Sequence, residues 1–329
     1  MIYPKLLFLL TLLLFSVAAF AQPKIILDTD FGGDADDLGA LVMLHNFIDK
    51  GECDLLAVMN WSNEEFAVAG IDAVNRFYKH PDIPVGTRKD SIKHQEWTYG
   101  KAIADNFYHE LNNKTAEDAT TLYRKILSRS KDSSITIVTI GPLKNIENLI
   151  RSKPDSISKL TGKQLIKKKV KEFVIMGGKF PKGKWEWNFI GGMPGVTRFV
   201  IKNITVPITF VGFEVGAPIK TGEILNTINP KTPLYIGFLH FSNNAPWMKK
   251  YYNRKIINNS SFDQTAVLYA VRNGVGTYWE KIQNGYCKPD DNGGNIWIEN
   301  QKSNHSYLKL KMKPEDLAKL IENIMLNKF

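Results

Sequence analysis

Cysteine is almost missing from this chain: Cys53 and Cys287 are the only two in 329 residues. A pair so widely spaced builds no disulfide framework, and neither residue sits in a Cys/His motif for catalysis or zinc. Both are expected to be unpaired. Histidine is also scarce. Of the six (His45, His80, His94, His109, His240, His305), His45 falls on an apolar helix face and reads as core. His240 precedes the segment "SNNAPWMKKYYNRK" and is a weak candidate for chemistry. Beyond the N-terminal segment there is no apolar run long enough to cross a bilayer. Repeats, low-complexity tracts and linkers are lacking. The net charge is +10, but the lysines are scattered, apart from Lys167, Lys168 and Lys169 with Lys171 close by. No basic helix or zinc-finger spacing accompanies them. The charge therefore reads as a solvated basic face, and no nucleic-acid partner is expected.

The chain opens with "MIYPKLLFLLTLLLFSVAAFAQ", which has a charged start, an apolar stretch and an Ala-x-Ala ending at Ala21. This is the pattern of a cleaved export signal. Residues 1–21 are read as a signal peptide and 22–329 as a single domain. The mature protein is expected to be periplasmic or secreted, with no membrane attachment. A hydrophobic content of 43% is ample for a large core.

Along the mature chain, short apolar runs stop abruptly at polar or glycine-rich loops. "KIIL" meets "DTDFGGDADD", "LLAVM" meets "NWSNEE", and "ITIVTI" meets "GPLKN". "FVIM" meets "GGKFPKGKWEWN", and "VPITFV" meets "GFEVG". Such β-branched runs without alternation suit strands buried on both faces of a parallel sheet. Helix-like segments lie between them, in "DDLGALVMLHNFI", "EEFAVAGIDAVNRFY", "EDATTLYRKILSRS" and "PLKNIENLI". The fold class predicted is α/β, a doubly wound, mostly parallel sheet. Ligands of such sheets bind beyond the carboxyl ends of the strands, which are the loops just named.

The first loop carries five carboxylates, Asp28, Asp30, Asp34, Asp36 and Asp37. Asp36 and Asp37 fall at a helix start, where free amides favour anions. That explains two of the five and leaves Asp28 and Asp30 at a strand end. Carboxylates converging on one point suit a hard, oxygen-seeking ion such as Ca²⁺ or Mg²⁺. An EF-hand is excluded, because its glycine position and closing Glu are missing. The Asp-x-Asp-x-Thr/Val phosphatase pattern also fails, with Gly32 where Thr or Val belongs.

The loop resembles the signature of the nucleoside hydrolase family, Asp-Thr-Asp-Pro-Gly-x-Asp-Asp-Ala-x-Ala. It is two residues longer, and Phe31 replaces the proline. The likeness is to a divergent branch reading Asp-x-Asp-x-Gly-x-Asp-x-Asp-Asp. It continues through "NEEFAVAGIDAVNRFYKHPDIPVG", "TIGPLKNIENLI", "WEWNF" and "FDQTAVLYAV". The resemblance implies one Ca²⁺ that holds a water and two ribose hydroxyls. On this sequence Asp30 would be ligand and general base, and Asp37 a bidentate ligand. The main-chain oxygen of Ile140 and Asp263 would complete the shell. Asp36 and Asn63 would bind ribose hydroxyls, and Asn188 with Glu186 the rest of the sugar. Asp28 would brace the others, and Asp34, in the expansion, has no assigned role. Family members are often oligomeric, which admits a homo-oligomer, although no residue shows an interface.

Two family features are missing. The acid histidine expected before the last aspartate is Phe262, and an asparagine expected before Glu186 is replaced by Phe180. Tyr251 and Tyr252 are candidates to face the base, with helix packing the equal alternative. Trp185 and Trp187 either stack on a ligand or cover their loop, and Glu214 at a strand end is a supporting residue. The leading function is Ca²⁺-dependent hydrolysis of an N-glycosidic bond in a ribonucleoside or related ribosyl compound. The alternatives are an exported nucleoside- or sugar-binding protein with weak or no turnover, and a phosphohydrolase using the same loop.

Overall fold

The apolar runs become strands, in a computed structural model that describes residues 22–89, 95–251 and 253–329. The expected signal peptide at 1–21, His94 and Tyr252 lie outside the described residues. In chain order the strands are β1 (Lys24–Thr29), β2 (Asp54–Asn60), β3 (Val85–Thr87), β4 (Glu117–Asp118), β5 (Ile135–Thr139), β6 (Val170–Met176), β7 (Lys182–Gly183), β8 (Ile208–Val211), β9 (Lys220–Thr221), β10 (Asn259–Ser260), β11 (Trp279–Pro289), β12 (Asn295–Glu299) and β13 (His305–Leu310). All except β9 and β10 join one eleven-stranded sheet in the order β4-β3-β2-β1-β5-β6-β8-β13-β11-β12-β7. From β4 through β13 every pairing is parallel, and the last three pairings are antiparallel.

The sheet is covered on both faces. In β1, Ile25 and Leu27 enter one core with Leu38, Leu41 and Phe47, while Ile26 enters the other with Ile137 and Phe173. Strand residues alternate between faces, so two cores need apolar residues at every position. This explains the unbroken runs and bears out the doubly wound reading. The antiparallel ribbon β11-β12-β13 was not predicted. Its longest strand, β11, has exposed positions scattered along it and so lacks a continuous apolar run.

Several expectations hold. His45 is fully buried, 2.9 Å from both Asn75 Oδ1 and His80 Nδ1, and burial lowers its pKa to about 3. It is a neutral core histidine. Both cysteines are buried and free. Lys167, Lys168 and Lys169 end the helix Gly162–Lys169, where cations suit the helix dipole, and Lys169 pairs with Asp132 at 2.7 Å.

Strand carboxyl ends converge at one edge. Asp30 follows β1, Trp61 follows β2, Arg88 follows β3, Ile140 follows β5, Gly177 follows β6 and Gly212 follows β8. Two helices bring further carboxylates to that edge. The helix Asp36–Asp49 starts there, and the helix Phe262–Arg272 packs beside it. Gly39 permits the contact: a Cβ at this position would lie 2.5 Å from Gln264 Nε2 and 3.1 Å from Met325 Sδ. Gly39→Val should therefore wedge the two helices apart. The expected results are a loss of about 1–3 kcal/mol in stability and a smaller calcium-induced rise in melting temperature. A wild-type thermal profile with and without calcium would show that this packing does not set the carboxylate geometry.

Candidate functional site

At the end of β1 the chain turns through Phe31 and Gly32 into the first long helix. Gly32 has φ +115°, a conformation L side chains rarely adopt, and Glu64 lies beneath it. Phe31 is fully buried and meets Tyr99 edge-on at 4.9 Å, so the residue replacing the family proline anchors the loop in the core. The five aspartates then take separate places. Asp28 is buried and accepts hydrogen bonds from Tyr123 Oη at 2.7 Å and Asn145 Nδ2 at 3.0 Å. It is the expected brace. Asp30 accepts from Trp187 Nε1 at 2.9 Å. Its backbone lies so close to Gly141 that a Cβ there would be 2.7 Å from Asp30 N. Asp37 accepts from the Thr29 hydroxyl.

Asp34 had no role in the sequence reading, and the structure shows what it touches. It accepts from Asn259 Nδ2 in β10 and so ties the expanded loop to the strand just ahead of Asp263. Asp36, Asp37 and Asp263 converge, each offering an oxygen within 4.8 Å of the others'. Asp36, assigned above to a ribose hydroxyl, thus stands in the carboxylate trio, while Asp30 sits beside Asp37 as its strongest like-charge neighbour.

These groups open into a cavity of about 980 Å³. Ile140, Asn63, Glu186 and Asn188 line it together with Asp30, Asp36, Asp37 and Asp263. Asn188 donates from Nδ2 to the Ile140 main-chain oxygen at 3.2 Å. Glu186 is buried and caps the short helix Trp187–Ile190, accepting from the amides of Asn188 and Phe189 at 3.1 Å and of Gly178 at 2.9 Å. Trp185 and Trp187 stay about half exposed along the wall. Glu214 accepts from the Phe180 amide at 3.0 Å and supports the loop after β6.

Not every candidate arrives at the cavity. Tyr251 is more than half exposed, with Lys250 Nζ 4.8 Å from its ring, and among the described residues the cavity wall nearby is Trp247 instead. His240 stands behind Trp97, bonded towards the backbone at Glu96 and Trp97, and burial lowers its pKa. Trp61, Arg88, Trp97, Lys179 and Phe213 line the cavity and were not singled out beforehand. Trp61, Arg88, Lys179 and Phe213 lie within three residues of a strand's carboxyl end, and that position was the available signal.

Electrostatically the site is a cluster of buried carboxylates that repel one another. Burial holds Asp30 and Asp34 at about 6 and Asp28 and Glu186 at about 7, and Asp36, Asp37 and Asp263 well above the usual carboxylate range. Neighbouring aspartates push the trio further up, while the Trp187 N–H opposes the rise at Asp30. A donor set of buried carboxylate oxygens in tight convergence fits a hard divalent cation.

Comparison with known proteins fits this geometry. A family model described as inosine-uridine preferring nucleoside hydrolase matches residues 25–306. The chain belongs to that family. It is an N-glycosyl hydrolase by membership. A search of curated proteins finds no match. Solved structures share the fold at low identity. A plant nucleoside hydrolase is 17% identical with a TM-score of 0.68, covering 92% of this chain and 98% of its own. An inosine-guanosine nucleoside hydrolase is 16% identical with a TM-score of 0.63, covering 93% and 99%. A type III effector protein complexed with adenosine diphosphate ribose is 12% identical with a TM-score of 0.61, covering 94% and 93%.

The raised carboxylate pKa values set a pH dependence. An unfolded aspartate titrates near 3.9. Groups raised to about 6–7 in the fold favour the protonated folded protein. Their stabilisation is complete below about pH 4 and disappears as pH rises through 6–7. Chelated protein should therefore melt at a higher temperature at pH 5.5 than at pH 8. Added calcium should raise the melting temperature more at pH 8, where fewer protons must leave first. Thermal shift titrations at the two pH values check both signs, and a larger calcium effect at pH 5.5 would contradict the assignment.

Proposed function

We propose that the protein hydrolyses the N-glycosidic bond of ribonucleosides or related ribosyl compounds and that the cation is Ca²⁺. The convergence of Asp36, Asp37 and Asp263 within 4.8 Å at the floor of the cavity carries this reading. These three would hold the ion, with Asp30 and the Ile140 main-chain oxygen alongside. A bound calcium ion would offset the carboxylates' repulsion and acidify a water molecule.

The chain's own residues supply the remaining chemistry. Asp30 is the base, and it takes a proton from the attacking water. The Trp187 N–H and the approach of Gly141 hold its carboxylate in one orientation. Asn63, Asn188 and Asp36 line the cavity and can hold sugar hydroxyls. Cleavage builds oxocarbenium character on the ribose, and the ring of carboxylates stabilises that charge. The tryptophans along the mouth exclude water and offer faces for a planar base. The adenosine diphosphate ribose bound by one structural relative supports a ribosyl ligand.

The substrate test is base release from a panel that includes inosine and uridine, with calcium present. Release from at least one nucleoside is expected. Binding without release would favour the nucleoside-binding alternative. Asp30→Asn should keep the fold while lowering kcat about 10²–10⁴-fold. Near wild-type turnover in that variant would remove Asp30 from the base role.

We also propose export, on the strength of the N-terminal pattern. Protein recovered from outside the cytoplasm should begin at Gln22 on N-terminal sequencing. An intact Met1 terminus on that fraction would contradict the assignment.

A further inference from the structure

The reaction leaves a negative charge on the departing base unless a proton or a cation meets it. The family position for that acid holds Phe262, which cannot donate. Phe262 packs against Phe213, with ring centroids 4.9 Å apart and planes tilted by 31°. Across Phe213 lies Lys179, its Nζ 4.1 Å from the ring centroid. All three side chains line the cavity, and Phe262 immediately precedes Asp263 of the carboxylate trio. A primary ammonium therefore stands on the same wall as the missing imidazole, held on an aromatic face.

The backbone beneath it is fixed. Asn295, buried in β12, accepts from the Lys179 amide at 2.9 Å and donates to its carbonyl at 2.8 Å. Gly178, at φ +74°, turns the chain into this clamp. Glu214 lies near enough for the two charges to interact. A surface lysine kept only for solubility needs no such support.

We propose that Lys179 is the proton donor to the leaving base. This rests on the hydrolase reading above. As the C1′–N bond breaks, its electron pair passes to the base. A proton from Lys179 Nζ bonds to the base, which leaves neutral, and Lys179 becomes an amine. Asp30 accepts the proton lost by the attacking water, whose oxygen bonds to C1′. Solvent then returns a proton to Lys179 and removes one from Asp30, so atoms and charge balance.

The test compares leaving groups. 4-Nitrophenyl riboside releases a stable phenolate and needs no proton donor, whereas inosine and uridine do. Lys179→Met with calcium present should lower kcat on the cleaved nucleoside about 10²–10³-fold. Its kcat on 4-nitrophenyl riboside should stay within about threefold of wild type, which also shows that the variant is folded. Lys179→Arg keeps the positive charge but its guanidinium does not release a proton, so it should not recover the nucleoside rate, and recovery would overturn proton donation. Equal losses on both substrates, or no loss on either, would overturn the proposal while leaving the hydrolase reading intact. If the wild-type chain cleaved neither compound, the hydrolase reading would fall and this one with it.

Discussion

Buried carboxylates at the end of one central strand are what the rest of this molecule has to satisfy. Asp28, Asp36, Asp37 and Asp263 are nearly inaccessible, and Asp30 adds its charge beside them. Removing a charge from water costs several kcal/mol per ion unless a partner offsets it. Only Asp28 has its charge spread over two side-chain donors, Tyr123 and Asn145. The trio faces itself. Such an arrangement persists in a fold only if something else is stabilised by it, and a divalent cation is the partner whose chemistry matches. The cluster is a group of carboxylates that could hold a metal ion, and relief of their repulsion would favour that binding.

Much of the surrounding structure keeps those groups in place. Tight contacts at Gly39 and Gly141 let one helix and one loop come nearer to Asp36, Asp37 and Asp30 than a side chain would permit. Phe31 fixes the turn by burial. Asp34 ties the expanded loop to β10 through Asn259, immediately ahead of the segment bearing Asp263. Asp34, in the expansion, thus couples the first carboxylate group to the segment bearing the last, through a bond that spans 225 positions of the chain.

What could be read beforehand follows from how the information is stored. Strands buried on two faces announce themselves as unbroken apolar runs, so β1, β2, β5, β6 and β8 were legible, and with them the edge where a ligand binds. His45 as core followed from local pattern alone, whereas Asp28 as a brace came with the family resemblance. Residues whose place depends on tertiary packing were not legible. Tyr251 and Trp247 are both about half exposed, yet of the two Trp247 lines the cavity, although both lie in one short segment. Asp36 joins the trio because two helices meet, a fact no local spacing records. The ribbon of β11, β12 and β13 has exposed and buried positions mixed along it, so it carries no clear strand signal.

That overlooked ribbon controls one wall of the site. β12 continues the sheet past its parallel part and pairs with β7, a two-residue strand inside the loop that follows β6. The loop is thereby held as the outermost strand rather than left to move. Asn295, the first residue of β12, pairs with Gly183 in that ladder and clamps Lys179 through both of its backbone groups. Glu186, a few residues on, is pinned by three amides. A catalytic loop needs its polar groups fixed before substrate arrives, because orientation acquired on binding lowers the gain from binding. The antiparallel addition provides that rigidity from the far end of the chain. The lysine proposed as proton donor thus sits on a loop that the ribbon pairs into the sheet.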